Sequence, residues 1–109
     1  MPTNYRVLGQ LNPVANTLSN VYTVPAATQA VISTITVCNQ AATNASYSIS
    51  ISPAGVTDNV RHYIVRGASV PAADALAFTL GITLGNTDQV RCNTNSSNIS
   101  FSIFGSEIT

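Results

Sequence analysis

His62 is the only histidine and stands in the run Arg61-His62-Tyr63-Ile64-Val65-Arg66. A histidine acting as a base needs a nucleophile or an acid within hydrogen-bond reach. Two arginines and a tyrosine supply neither, so a structural histidine is expected. Cys38 and Cys92 each precede an asparagine at the end of a strand-like run. They could be free buried thiols or a bridge across a sandwich. The tryptophan that accompanies such bridges in antibody domains is missing, because the chain has none. The start, Met1-Pro2-Thr3-Asn4-Tyr5-Arg6, has no basic region followed by an apolar stretch. A reducing compartment is therefore expected, which favours free thiols. A metal site built from His62, Cys38 and Cys92 lacks the closely spaced ligand pair that zinc sites use.

The carboxylates number four, Asp58, Asp74, Asp88 and Glu107. Asp58 and Asp88 lie in the turn-like stretches Thr57-Asp58-Asn59 and Asn86-Thr87-Asp88-Gln89, where aspartate accepts from backbone donors. No spacing pairs two carboxylates for glycosidase work or gathers them for calcium. No G-x-S-x-G, phosphate loop or H-E-x-x-H occurs. The expectation is a protein that is not an enzyme, with no catalytic, cofactor-binding or metal-binding residues and no cofactor. The sequons at Asn44, Asn95 and Asn98 read as accidents of an Asn/Ser/Thr-rich chain without a secretory route. The polar loop Asn93–Asn98 could hold a carbohydrate or a partner, but it has no aromatic platform and reads as an ordinary hairpin connection.

The elements that would position these residues are strands. From Ala75 to Leu84 the large residues Leu76, Phe78, Leu80, Ile82 and Leu84 alternate with small or polar ones, the period of a half-buried strand. The same device recurs at Tyr47, Ile49 and Ile51 and at Ile99, Phe101 and Ile103. Strands are predicted at residues 5–11, 20–24, 30–39, 45–52, 62–66, 75–84, 89–93 and 99–104, separated by Pro, Gly and Asn breakers. The fold class is all-β: a single-domain antiparallel β-sandwich of about 7–8 strands, Ig-like or jelly-roll. Residues 1–20 read as an N-terminal extended arm or first strand, and residues 21–109 as the sandwich domain. Val24-Pro25-Ala26-Ala27 and Val70-Pro71-Ala72-Ala73 echo one another as two equivalent corners. Gly81 interrupts the strongest strand and marks a bulge or a close backbone approach.

Charge is sparse. Of 109 residues 7% are charged, against about 25% in ordinary domains, there is no lysine, and formal net charge is zero. Four scattered arginines (Arg6, Arg61, Arg66, Arg91) give no footprint for phosphates, so nucleic acid is not an expected partner. No apolar run reaches the roughly 20 residues a membrane helix needs, so neither is a membrane. A near-neutral surface without lysine at its strand edges tends to associate, and much of it is expected to be buried in an assembly. The outward residues Ala77, Thr79, Gly81 and Thr83 suit a face against which another backbone packs.

Several stretches together resemble small β-sandwich virion proteins of tailed bacteriophages: Leu8-Gly9-Gln10, residues 21–26 and 30–39, residues 47–55, and the closing Phe101-Ser102-Ile103-Phe104-Gly105-Ser106-Glu107-Ile108. The resemblance spans nearly the whole chain, and its motifs are strand-and-turn text with no catalytic residue. It implies a structural role in the virion, assembled in the host cytoplasm. The first reading is a capsid decoration or cement protein whose partners are the major capsid protein and copies of itself, in a homo-oligomer such as a trimer. The alternative is a tail, baseplate or fibre component, including a host-surface carbohydrate-binding module.

Overall fold

A computed structural model of the chain describes residues 3–56 and 60–109, with Leu80 described by its backbone only. Eight strands follow in order among these residues: β1 (Thr3–Leu11), β2 (Ser19–Thr23), β3 (Gln29–Asn39), β4 (Ala45–Ser52), β5 (Tyr63–Val70), β6 (Ala75–Leu84), β7 (Gln89–Thr94) and β8 (Ile99–Ile108). Sheet A has the order β1-β8-β3-β6 and sheet B the order β2-β7-β4-β5. Every pairing is antiparallel.

The architecture is one long hairpin rolled up. Strand β4 pairs with β5, β3 with β6, β2 with β7 and β1 with β8, so the outgoing and returning halves stay together throughout. Rolling then lays β8 against β3 and β7 against β4, which closes both sheets. This is the double-sheet jelly-roll arrangement, and it decides between the two sandwich types left open by the alternation. Only β4 and β5 are consecutive strands that pair with each other. Every other connection crosses between sheets, including residues 95–98 between β7 and β8. That loop is therefore a crossing and not the hairpin expected.

The two Val-Pro-Ala-Ala stretches are corners of this roll, at opposite ends of β3. Each turns through an alanine in the left-handed region, Ala27 at φ 56° and Ala73 at φ 52°. Each is tied to the matching corner of the other half of the hairpin. The Val24 amide donates to Asp88 (2.9 Å) and the Thr87 amide to Val24 (3.0 Å); the Asn39 amide donates to Asp74 (2.8 Å) and the Ala73 amide to Ala41 (2.9 Å). The echo in sequence is thus an echo in position.

The core draws on both sheets: Ile32, Ile35 and Val37 of β3, Ile99, Phe101 and Ile103 of β8, Tyr47 and Ile49 of β4, and Val90 and Cys92 of β7. Tyr47 sets its ring edge-on to Phe101, centroids 6.3 Å apart. Such a contact adds about 0.5–1.5 kcal/mol beyond the area buried.

Of the two readings of the N-terminal residues, residues 3–11 follow that of a first strand: β1 is laddered to β8 from Thr3↔Ile108 to Leu11↔Phe101 and forms the edge of sheet A. Two strand bounds are corrected. Strand β5 begins at Tyr63 and runs to Val70, since Gly67 (φ 68°) kinks the strand without ending it. Strand β8 continues through Gly105 to Ile108, because that glycine is where β8 meets β3 most closely: a Cβ there would lie 2.0 Å from the Val31 carbonyl oxygen.

Candidate interaction surface

The residues with reactive side chains are dispersed. Cys92 faces inward on sheet B and is buried; Cys38 is half-buried on β3 between Val37 and Asn39, which face inward, so its own side chain points out of sheet A. The two thiols therefore turn away from each other, and both are free. Burial pushes the Cys92 thiol up to about 12. No group of three His, Cys, Asp or Glu side chains that could hold a metal ion occurs among the described residues.

His62 ends a short 3-10 turn, Val60–His62, and is buried. It lies ahead of the predicted strand's alternation, since a period of two does not extend into a helical turn. Arg66 lies over the Tyr63 ring at 4.9 Å from its centroid. Asp58 lies outside the described residues. Asp88 is a turn residue as expected: its carboxylate accepts from the amides of Gly85 (2.9 Å) and Ala54 (2.9 Å), which fastens the crossing before β7 to the 3-10 turn after β4. Arg91 holds that turn from the other side, donating to the carbonyls of Gly55 (3.0 Å) and Val56 (3.1 Å).

The polar loop is occupied with itself. Asn95 accepts from the Ser46 amide (2.9 Å), Thr94 donates to the Ser46 carbonyl (2.9 Å), and the Thr94 and Ser96 hydroxyls accept from the amides of Ser96 and Asn98. These bonds fasten it to β4, the neighbour of β7 in sheet B.

One polar cluster was not legible from spacing. Glu107 on β8 is buried; it accepts from the Tyr22 hydroxyl of β2 (2.5 Å) and from Arg6 of β1, whose Nε and terminal nitrogen lie 2.9 and 2.8 Å from one carboxylate oxygen. Three strands and both sheets meet at this carboxylate. The Tyr22 hydrogen bond, with Arg6 adding to it, holds the Glu107 carboxyl below its ordinary value against the opposing effect of burial. Burial and the neighbouring carboxylate push the Tyr22 phenol well above its ordinary value. The cluster ties three strands and both sheets together and acts as a brace.

Its consequence lies on the other side of the sheet. Arg6 and Glu107 belong to sheet A but both turn toward Tyr22 of sheet B, and so away from the outer face of sheet A. That face is built by register from Tyr5, Val7 and Gln10 of β1, Ser100, Ser102, Phe104 and Ser106 of β8, Val31, Thr34, Thr36 and Cys38 of β3, and Ala75, Ala77, Thr79 and Thr83 of β6. None of these positions is Asp, Glu, Lys or Arg. Tyr5 is 84% and Val7 45% exposed, and Tyr5, Val31 and Phe104, with Arg6 at the sheet edge, border a shallow depression. The outer face of sheet B differs: Arg66 and Arg91 belong to it, and the 3-10 turns lie against it, burying Ser50 and Ser52.

The outer face of sheet A is a four-stranded surface without charged outward positions and with exposed tyrosine and valine. It can pack against another protein without desolvating a charge, which is the costly step in burying a surface. No family model matches the chain, and no curated protein matches it.

Proposed function

We propose that the protein is a structural component of a bacteriophage particle, a capsid decoration or cement protein that associates with copies of itself and binds the major capsid subunits. The observation that carries this reading is the uncharged outer face of sheet A, presented on a rigid jelly roll whose reactive side chains are dispersed or engaged in bracing. The particle itself enters through the resemblance of the strand-and-turn stretches to small virion proteins. The two supports are independent: one concerns a surface, the other a text.

The test is binding to shells. Purified protein is mixed with particles assembled without it and sedimented, alongside Tyr5→Glu and Thr79→Glu, which place charge on the face at exposed positions. Co-sedimentation of the native protein and its loss in both variants is the expected result. A protein that stays in the supernatant, or variants that bind as the native protein does, would overturn the reading.

A further inference from the structure

We propose that two copies of the chain associate by pairing β6 with β6, antiparallel, about a two-fold axis at Ala77. This rests on the reading of a self-associating structural protein and names its contact.

The four edge strands are not alike. On one side of the sandwich, β1 carries Arg6 and a bulge at Leu8, and it is drawn onto β2, where a Cβ on Gly9 would lie 2.5 Å from the Val21 carbonyl oxygen. Strand β2 is only 5 residues long. On the other side, β5 carries Arg66 and the Gly67 kink. Strand β6 has 10 residues, none charged and none proline. Natural sheets guard their edges with charge, proline, bulges or a covering segment. Of those devices β6 has only the bulge at Gly81, in the left-handed region at φ 62°. That bulge leaves Ala75–Thr79 as a regular, unguarded segment.

The core is also incompletely covered at this edge. Leu76 and Phe78 face inward yet remain half-buried, as does Val65 on β5. A chain of rings runs outward from Phe101 through Tyr47 to Phe78, each step 6.3 Å between centroids, and ends there.

The occupant follows from the segment's own symmetry. In an antiparallel pair centred on Ala77, Ala75 lies opposite Thr79 of the second copy and Leu76 opposite its Phe78. Large residues then meet large ones on the core side, and small residues meet small ones on the outer side. No charge is present either to repel a copy or to select a different partner, so the complementarity available is one of shape, and the segment supplies both halves of it. The contact is isologous and closes as a dimer. Two copies of sheet A become one continuous sheet, and their uncharged outer faces become one surface.

The experiment measures mass in solution by sedimentation velocity for the native protein and for Ala77→Lys, whose position is exposed in the single chain. The native protein is expected to sediment as a dimer at micromolar concentration. The lysine variant is expected at half that mass with an unchanged far-ultraviolet circular dichroism spectrum. In a Cys38→Ser background, Ala77→Cys should form a disulfide-linked dimer on mild oxidation while Thr83→Cys, beyond the bulge, should not; this decides the matter if the lysine variant does not fold. A monomeric native protein, a lysine variant of native mass, or equal cross-linking at the two positions would overturn the pairing. A native protein that is monomeric alone but whose shell binding is abolished by Ala77→Lys assigns the edge to a shell strand and overturns self-pairing. A monomer that binds shells overturns the pairing alone; a β6-linked dimer that ignores shells upholds it and overturns the proposed function.

Discussion

Removing the Tyr22 hydroxyl tests whether Glu107 braces the two sheets. The carboxylate takes one short bond from a buried phenol and two from a guanidinium whose side chain is 52% exposed. A hydrogen bond to a charged group contributes about 1.5–3 kcal/mol, whereas an ion pair with a half-exposed partner contributes about 0–1 kcal/mol. Tyr22→Phe should therefore lower unfolding stability at pH 7 by about 2 kcal/mol, and Arg6→Ala by less than about 1 kcal/mol. In a domain near this size the first change moves the melting temperature by roughly 10 °C. The pH dependence has a definite sign. Because the folded state depresses the Glu107 pKa, the stabilisation is fully present above the unfolded value of about 4.3 and is lost as pH falls through the lower folded value. The Tyr22→Phe penalty should then shrink below about pH 4, toward the 0.5–1.5 kcal/mol of a neutral hydrogen bond. Urea unfolding of native protein, Tyr22→Phe, Arg6→Ala and the double variant, at pH 7 and pH 3, reads all of this. An Arg6→Ala cost exceeding that of Tyr22→Phe, or a Tyr22→Phe penalty unchanged between the two pH values, would refute the assignment of the brace to the tyrosine.

Two further outcomes are expected. Iodoacetamide on the folded protein should label Cys38 and leave Cys92 unmodified until denaturant is added, since Cys92 is buried and its thiol is pushed up to about 12; peptide mass mapping checks the order, and early labelling of Cys92 counts against the packing described. Gly105→Ala should destabilise by about 3–5 kcal/mol or prevent folding, because its Cβ would sit 2.0 Å from the Val31 carbonyl oxygen. Gly81→Ala, which meets open space, should cost only the roughly 1–2 kcal/mol of a left-handed alanine, and equal losses in urea unfolding would show that sterics at Gly105 are not limiting.

The strands were legible because their alternation is regular, and the reason is visible in sheet A. Between the row containing Ile103 and the row containing Gly105, β8 advances two residues, β1 and β3 advance three, and β6 advances four. An even excess leaves alternation intact, so Leu76, Phe78, Ile82 and Leu84 share one parity on both sides of the bulge. An odd excess flips it. At Ser33 the buried set of β3 changes from Ala30 and Ile32 to Ile35 and Val37, and no residue type announces the step. The Glu107 cluster was hidden for a related reason. Its members are 85 and 101 residues apart, and only the rolled hairpin brings first strand, second strand and last strand to one point. Polar residues at such separations carry no spacing signal.

The same single-residue step decides which face of sheet A can receive a partner. Gly9 and Leu11 of β1 lie beside Ile103 and Phe101, which are buried, so they face the core. A regular strand continuing from Gly9 would turn Val7 and Tyr5 inward and Arg6 outward. The extra residue at Leu8 reverses this: Arg6 goes in to meet Glu107, and Val7 and Tyr5 come out. Leu8 itself stays buried at 7% exposure, which anchors the bulge through its own burial. The inward-turned ion pair and the outer face without charged positions are therefore two sides of one event. Sparse charge alone would not have produced such a face, since one arginine on β1 and one glutamate on β8 are enough to mark it. Turning them away from the outer side, by a bulge at Leu8 and by Tyr22 beneath, leaves the outward positions of sheet A without a charged residue, while Arg6 keeps half of its side chain exposed at the sheet edge.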